Sequence, residues 1–298
     1  VVLRKSGTEP LLRVMVEATS DELCEEKVDE IIAARLRLEA DKGEIMTEIK
    51  ELFDLDKTIA KELFEGKTYP WEVLDEIKPF ILKLGPTLSP DEYDNPSEGV
   101  WVAKDAKVFP SAYLGAPCII DHGAEVRHCA FIRGSAIVGK NAVVGNSVEL
   151  KNVVLFDNVQ TPHYNYVGDS ILGYRSHMGA GSITSNVKSD KSLVVVHGQG
   201  ENVETGLKKF GAMLGDFVEV GCNSVLNPGT VIGRESNVYP LSCVRGVVPA
   251  RHIYKTGGVA VIMEQVLHAG LGIHPDLAAA QQTALLQNLS EPGVFFFA

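Results

Sequence analysis

The stretch from Val102 to Ile132 reads VAKDAK VFPSAY LGAPCI IDHGAE VRHCAF I, with an aliphatic residue at the head of each hexad. An α-helix repeats every 3.6 residues and a flat strand every two, so neither generates a period of six. A parallel β-helix does, because each hexad forms one side of a triangular coil. The series continues without a miss through Val102, Val108, Leu114, Ile120, Val126, Ile132, Val138, Val144, Leu150 and Phe156.

The residue four places after each of the first nine positions is small or β-branched, which suits a corner where the backbone turns and a large side chain would collide. These residues are Ala106, Ala112, Cys118, Ala124, Ala130, Ala136, Ala142, Val148 and Val154. The period returns at Leu172 and Met178, and again at Leu214, Val220, Leu226, Ile232, Val238 and Val244. The sequence therefore predicts a mainly β protein, a parallel β-helix of hexapeptide repeats with caps at its ends.

Two interruptions of the period are expected to carry function, since a rigid solenoid binds ligands where its repeat is broken. The first lies around Thr161 to Tyr166. The second runs from about Val187 to Leu207, where the segment Val194 to Gly200 cannot continue the coil. We expect this second segment to leave the solenoid as a loop that could cover a ligand.

Composition excludes several classes of protein. The chain has 298 residues, 45% of them hydrophobic, which is enough for a substantial core. A formal net charge of -11 disfavours nucleic acid and anionic membrane as partners. No apolar run approaches the roughly 20 residues of a membrane span, so a cytoplasmic protein is expected. The five cysteines are scattered without a CxxC pair, which predicts reduced thiols and no metal site.

Flanking segments complete the predicted organisation. Apolar residues at helical spacing predict one amphipathic helix from Thr47 to Gly66 and a second from Pro70 to Leu84, with a possible kink at Pro79, followed by a linker from Ser89 to Glu98. The tail abandons the period after Met263 and contains a predicted helix from Pro275 to Asn288. The expected domains are residues 1–45, a separate fragment of an α+β domain; 46–95, a helical cap and linker; 96–263, the β-helix; and 264–298, a partly helical tail.

Two motifs within the hexads resemble a known family. PHYNYVGD, from Pro162 to Asp169, and MGAGSITSN, from Met178 to Asn186, are similar to segments in the acetyltransferase half of the bifunctional bacterial enzyme that makes UDP-N-acetylglucosamine. The resemblance covers roughly residues 100 to 250. It implies a left-handed β-helix, a homotrimer with sites between subunits, and transfer of an acetyl group from acetyl-CoA, as co-substrate, to glucosamine-1-phosphate.

The resemblance also implies roles for individual residues. His163 matches the family's general base, and Ala180 matches the position of a backbone N–H that faces the acetyl group; Cys222 lies in a hexad expected along the CoA. Substrate-binding positions are Arg133 and Lys151 for the sugar phosphate, with Tyr166, His177 and Asn186 for the rest of the acceptor. The chemistry is consistent, because an amine attacks a thioester only after losing a proton, which histidine can accept.

The sequence departs from the family on the acceptor side. His177 stands where the family usually has a further asparagine, Val187 replaces a tyrosine, and a loop through Gly198 replaces a short connection. Galactosamine-1-phosphate or another amino-sugar phosphate is therefore an alternative acceptor to glucosamine-1-phosphate. No glycine-rich nucleotide loop opens the chain, so activation to a UDP-sugar is not expected here.

The opening residues carry a second resemblance. RKSGTEP, from Arg4 to Pro10, is similar to the phosphate-binding loop in the last domain of phosphoglucosamine mutase. Only the end of such an enzyme is present, so no mutase activity is expected. The codons for Lys42 to Ile45 would resemble a ribosome-binding site ahead of Met46, which suggests that residues 1–45 are the translated end of an upstream gene.

Two other functions remain open from the sequence. One is a non-catalytic β-helix that regulates or assembles a partner and binds a sugar phosphate or sugar nucleotide. The other is a metal hydratase similar to the γ-class carbonic anhydrases, which would need His122, His128 and His163 to act as ligands.

Overall fold

The computed structural model describes residues 2–5, 12–15, 47–198, 202–255 and 258–262. Its main body is a mainly β solenoid of about eight turns, so the predicted left-handed parallel β-helix of hexapeptide repeats is confirmed. β1 (Val2–Lys5) and β2 (Leu12–Met15) form an antiparallel pair at the start of the chain. The predicted C-terminal tail and its helix lie outside the described residues.

Three faces of parallel strands form the solenoid. The first face comprises β4 (Val100–Ala103), β7 (Cys118–Ile120), β10 (Ala136–Val138), the ends of β12 (Glu149–Leu155) and β14 (Tyr166–Leu172), β19 (Ala212–Leu214), β22 (Thr230–Ile232) and β25 (Val247–Val248). β3 (Tyr93–Ser97), within the stretch expected to be a linker, pairs antiparallel with β4.

The second and third faces follow around each coil. The second face comprises β5 (Lys107–Val108), β8 (Glu125–Val126), β11 (Val143–Asn146), β13 (Gln160–His163), β15 (His177–Met178), β20 (Glu219–Val220), β23 (Asn237–Val238), β26 (His252–Lys255) and the antiparallel β27 (Gly258–Ile262). The third face comprises β6 (Tyr113–Leu114), β9 (Phe131–Ile132), the beginnings of β12 and β14, β16 (Ile183–Thr184), β21 (Val225–Leu226) and β24 (Cys243–Val244).

The inward column of aliphatic side chains forms the core that the hexads predict. Ile120, Val126, Ile132, Val138, Val144 and Leu150 are fully buried, and so are Leu172 and Met178. The column resumes beyond the long loop, because Leu214 pairs with Leu172 across it. Burial of this apolar surface is the dominant stabilising contribution to the solenoid.

The predicted run of inward residues is wrong at Phe156. Val138 pairs with Leu155, so the period shortens by one residue after Leu150. The left-handed backbone positions that mark the corners show the same spacing: they fall at Ser135, Asn141, Ser147, Asn152, Asn158, Tyr164 and Asp169, with five-residue steps before Asn152 and Asp169. In two successive coils, the side that belongs to the third face is therefore one residue short.

This shortening also explains the first predicted interruption, which is not a break in the coil. Thr161 is buried and pairs with Val144, and β13 runs parallel to β11 and β15. The second interruption does leave the coil, as expected. After β16 the chain forms an antiparallel hairpin of β17 (Val195–His197) and β18 (Asn202–Glu204), then returns at β19.

A segment of short helices covers the first face. α1 (Ile49–Leu52) is followed by 3-10 turns at Leu55–Lys57 and Lys61–Phe64, so the single helix expected from Thr47 to Gly66 is wrong. The Asp54 side chain accepts the N–H of Asp56 and stabilises a new turn there. Phe156 packs here against Phe53 and Phe64, at ring-centroid distances of 5.1 and 5.8 Å.

The second predicted helix is also divided. A 3-10 turn at Pro70–Val73 precedes α2 (Ile77–Leu84), and a further turn covers Gly85–Thr87. Pro79 falls in the first turn of α2, where its missing N–H would have no intrahelical partner, so no kink is required. Among the residues that the structure describes, no helix is long and apolar enough to span a bilayer.

We predict that truncating the inward column destabilises the solenoid. Ile120→Ala removes a fully buried side chain, so the free energy of unfolding should fall by about 2–5 kcal/mol, measured by urea denaturation. Lys104→Ala, at an exposed position one coil away, serves as the control and should leave stability nearly unchanged. Equal losses in the two variants would contradict the assignment of Ile120 to the core.

Candidate active site

The predicted phosphate-binding cations lie side by side on the third face. Arg133 follows Ile132, which pairs with Leu150, and Lys151 pairs in turn with Gly168. Residues in register on parallel strands are stacked about 4.8 Å apart. Arg133, Lys151 and Gly168 therefore form one outward column across three successive coils.

Both cations already have carboxylate partners. Arg133 donates to Glu149 at 2.9 Å, with about half of its side chain exposed. Lys151 contacts the Asp169 carboxylate at 2.7 Å and is only 24% exposed. The exposed Arg133–Glu149 ion pair contributes little free energy in water, so a phosphate could easily replace Glu149 as the partner of Arg133. Lys151 is held much more firmly.

Asp169 is the centre of a buried polar network. Its side chain is 4% exposed and accepts hydrogen bonds from Lys151, from Asn152 Nδ2 at 3.0 Å and from Asn186 Nδ2 at 2.6 Å. The residue lies at a corner with φ of 48°, a left-handed conformation that Asp tolerates better than most residues. A buried carboxylate with several donors fixes the positions of those donors.

Tyr166 joins this network through Asn186, whose Nδ2 lies 3.2 Å from the phenol oxygen. A Cβ on Gly168 would come within 2.5 Å of that oxygen, so a larger residue at position 168 would displace the phenol. Burial, followed by the nearby carboxylates of Asp169 and Glu149, raises the pKa of the Tyr166 phenol. The phenol thus stays protonated at neutral pH and can donate a hydrogen bond to a ligand.

The predicted general base lies at the opposite edge of the third face. His163 ends β13 and is exposed, and its imidazole makes no hydrogen bond within the part of the chain that the structure describes. Asn165, which the motif contains but the sequence analysis gave no role, accepts the His163 N–H at 3.2 Å. The Asn165 amide also donates to Gly179 at 2.8 Å and ties this corner to the next coil.

The two predicted cofactor positions continue this corner upward. The His163 carbonyl accepts from Gly181, and the Ala180 carbonyl accepts from Asn223, so His163, Ala180 and Cys222 lie on successive coils. The Ala180 N–H donates no backbone hydrogen bond among the described residues. It is therefore available to face a carbonyl oxygen, and Cys222 is exposed beside it.

His177 lies apart from the other predicted acceptor residues. It is on the second face, where its Nδ1 is 2.8 Å from the Glu219 carboxylate. The histidines of the hydratase hypothesis are not gathered either: His122 bonds to Asp105 and His128 to Ser111. No group of three or more His, Cys, Asp or Glu side chains among the described residues is arranged to hold a metal ion.

A cleft of about 460 Å³ opens next to Lys151, at the corner between the third and first faces. Asp169 and Asn152 form its floor, α2 and the residues just before it form one wall, and the end of the long loop forms the other. The loop wall carries Lys208 and Lys209, both exposed. The sequence analysis predicted a loop here but gave these lysines no role. The signal that could have identified them is their position directly before Phe210, where the chain returns to the solenoid.

The structure thus brings four of the predicted residues into one cluster: Arg133, Lys151, Tyr166 and Asn186. His163, Ala180 and Cys222 form a second group along the adjacent corner. The roles of all these residues remain predictions. Asp169 and Asn152 are the members of the cluster that the sequence analysis left without a role.

We predict that the Asp169 carboxylate stabilises the cluster. Asp169→Asn keeps a residue suited to positive φ, but it turns one acceptor into a donor that faces other donors. The free energy of unfolding at neutral pH should fall by about 1–3 kcal/mol, measured by urea denaturation. Glu149→Gln, which breaks the exposed pair with Arg133, is the matched control and should change stability little. The account is wrong if the two variants lose the same stability.

Comparison with known proteins identifies two matching families. Residues 114–255 match the model of the GMPPB C-terminal domain. Residues 1–34 match the C-terminal domain of the phosphoglucomutase/phosphomannomutase family. The second match agrees with the resemblance of the opening RKSGTEP segment to a mutase.

Curated relatives match the β-helix. A bifunctional sugar-1-phosphate nucleotidylyltransferase/acetyltransferase of Sulfurisphaera tokodaii is 32% identical over 102 residues, 34% of this chain and 25% of that protein. The bifunctional protein GlmU of Methanococcus maripaludis is 39% identical over 83 residues, 28% of this chain and 20% of that protein. The matched part of this chain thus spans a quarter or less of the length of these relatives.

Among solved structures, a hexapeptide transferase family protein from Anaplasma phagocytophilum is 15% identical, covering 61% of this chain and 92% of that one with a TM-score of 0.26. The curated relatives confirm the resemblance that the two sequence motifs indicated. The β-helix of this chain is similar to part of the bifunctional GlmU proteins, and its opening residues are similar to the C-terminal domain of phosphoglucomutase/phosphomannomutase.

Proposed function

We propose that this chain is an acetyl-CoA-dependent N-acetyltransferase that acts on an amino-sugar 1-phosphate, either galactosamine-1-phosphate or glucosamine-1-phosphate. The observation that carries the proposal is the grouping of Lys151, Tyr166 and Asn186 around the buried Asp169, with His163 at the end of β13, at the corner where the second face meets the third. The names of the relatives, which include an acetyltransferase activity, support the same reaction class.

The acceptor is held by complementary groups in this proposal. A phosphate monoester carries nearly two negative charges at neutral pH, and Arg133, Lys151 and the cleft lysines supply positive charge on the same surface. Arg133 adds a planar donor fork suited to phosphate oxygens. Tyr166 and Asn186 then donate hydrogen bonds to hydroxyl groups of the sugar ring, which sets the amine toward His163.

His163 acts as the general base. The neutral amine attacks the thioester carbonyl through its nitrogen lone pair, and the exposed imidazole accepts the proton that the nitrogen loses as the C–N bond forms. The acetyl group arrives as a CoA thioester; the C–S bond breaks as the C–N bond forms, and the proton held on His163 passes to the departing sulfur. The Ala180 N–H stabilises negative charge on the acetyl oxygen meanwhile.

We propose further that the site is completed between subunits of a homotrimer. The third face exposes Phe131 and Tyr113, whose rings lie 5.5 Å apart. An aromatic pair of this kind on an otherwise charged surface suits burial against another protein surface.

We predict that turnover depends on His163. Wild-type protein should release CoA from acetyl-CoA, measured by thiol titration, with galactosamine-1-phosphate or glucosamine-1-phosphate but not with free glucosamine or glucosamine-6-phosphate. His163→Ala should lower kcat by roughly 10²–10⁴-fold. His122→Ala, which removes an imidazole paired with Asp105 in the turn between β7 and β8, is the control and should keep full activity.

Sugar-phosphate binding without turnover by the wild-type protein would contradict the enzyme proposal and favour the non-catalytic regulatory or assembly module. Unchanged turnover in His163→Ala would contradict the role of His163 and show that the acetyltransferase uses a different general base.

We predict that CoA protects Cys222 from alkylation. Cys222 is exposed next to Ala180 on the following coil, whereas Cys129 is exposed several coils away, outside the proposed CoA path. Burial raises the pKa of the Cys118 thiol to about 12, so it should resist the reagent in the folded protein. Iodoacetamide labelling with peptide mapping should show several-fold slower reaction of Cys222 with saturating CoA and an unchanged rate at Cys129. Equal rates with and without CoA at Cys222 would rule out this placement of the cofactor.

A further inference from the structure

The helical segment that precedes the β-helix does more than cover its first face. The Leu74 carbonyl accepts a hydrogen bond from Asn152 Nδ2 at 3.0 Å, and the same Nδ2 lies 3.0 Å from the Asp169 carboxylate. A short polar chain therefore runs from the backbone of the helical segment to the centre of the candidate site. One wall of the cleft belongs to this segment: Leu74, Asp75 and Lys78.

The two walls of the cleft are also joined to each other. Phe210 follows the loop lysines, is fully buried, and packs against Trp71 of the helical segment with ring centroids 5.6 Å apart. Its N–H donates to the Asn186 carbonyl at 3.0 Å, and the Gly211 N–H donates to the Asp169 carbonyl at 2.8 Å. The relative positions of both walls are thus fixed before any ligand arrives.

Charge in the cleft opposes that of the whole molecule. Its lining includes the four lysines Lys78, Lys151, Lys208 and Lys209 against the two carboxylates Asp75 and Asp169. The chain as a whole carries a formal charge of -11. Lys78, Lys208 and Lys209 form no salt bridge with any residue that the structure describes, whereas Lys151 is neutralised by Asp169. An excess of positive charge in a concave site attracts an anion of matching size.

We propose that Lys78 of α2 binds the phosphate group of the acceptor, together with Lys208 and Lys209 across the cleft, so that the helical segment is part of the acceptor site. This inference rests on the proposed function for the identity of the ligand. The volume of about 460 Å³ lies in the range of small-molecule sites. A dianionic phosphate monoester matches the excess of two positive charges, and an uncharged sugar does not.

In this arrangement, different parts of the protein recognise the amine and the phosphate of the acceptor. In this proposal His163 binds the amine, and the neighbouring cleft binds the phosphate through a segment outside the repeat. Lys78 is the second residue of α2, and the buried side chain of the neighbouring Ile77 anchors this end of the helix. Removing its charge should weaken binding of phosphorylated ligands alone, because the phosphate is the part of the acceptor that the proposal places against this wall.

The test compares Lys78→Gln with Lys83→Gln, a highly exposed lysine in the last turn of the same helix. Isothermal titration, without acetyl-CoA, would measure binding of galactosamine-1-phosphate, glucosamine-1-phosphate, inorganic phosphate and free galactosamine. Loss of one charge-assisted contact predicts a Kd for the phosphorylated ligands raised by roughly 10-fold or more in Lys78→Gln. Lys83→Gln should match wild type, Lys78→Arg should retain most of the affinity, and CoA affinity should be unchanged in all variants.

The outcomes separate this inference from the proposed function. Phosphate binding that depends on Lys78, without any acetyl transfer, would support the anion site and contradict the enzyme proposal. Normal acetyl transfer with equal phosphate affinity in Lys78→Gln and wild type would overturn the inference and leave the enzyme proposal intact. Equal weakening by Lys78→Gln and Lys83→Gln would also overturn it, because a general charge effect would then explain the loss.

Discussion

Parallel backbone pairing between successive coils determines where every outward side chain lies. Each strand hydrogen-bonds to the strands above and below it, so one position in a coil stacks directly on the equivalent position in the next. Arg133, Lys151 and Gly168 share a column for this reason, and the corner positions His163, Ala180 and Cys222 follow the same rule. Residues far apart in sequence thereby meet without any loop having to carry them.

A one-residue shortening of the third face then distinguishes the coils that form the candidate site from the other coils of the solenoid. The two shortened sides end at Asn152 and Asp169, both in left-handed conformation. These polar side chains meet at one corner and organise Lys151 and Asn186 around a buried carboxylate. The polar cluster is stable because its charges and donors are paired; an unpaired carboxylate at this depth would be strongly destabilising.

Hexad periodicity was sufficient to predict the β-helix, its inward column and the excursion of the chain after Asn186, because each depends on local spacing. It failed at Phe156, where a single missing residue shifts the register and moves the ring out of the solenoid interior to a buried position beneath the helical segment. The broken helix near Asp54 was not predictable from apolar spacing alone, since a side-chain hydrogen bond decides it.

The family resemblance predicted roles for the cluster members Arg133, Lys151, Tyr166 and Asn186 but gave no indication of the cleft. Lys78 is separated from Lys151 and Lys208 by long stretches of sequence, and tertiary contacts such as the packing of Trp71 on Phe210 bring the walls together. His177 illustrates the opposite case, because its alignment with the family suggested an acceptor role while its side chain pairs with Glu219 on another face.

The most direct test of the account is a crystal structure of the protein with CoA and galactosamine-1-phosphate bound. The account predicts phosphate density in the cleft between α2 and the Lys208 wall, within hydrogen-bond distance of Lys151, with the sugar amine directed toward His163. Sugar-phosphate density on the second face, or anywhere apart from the Asp169 corner, would contradict it.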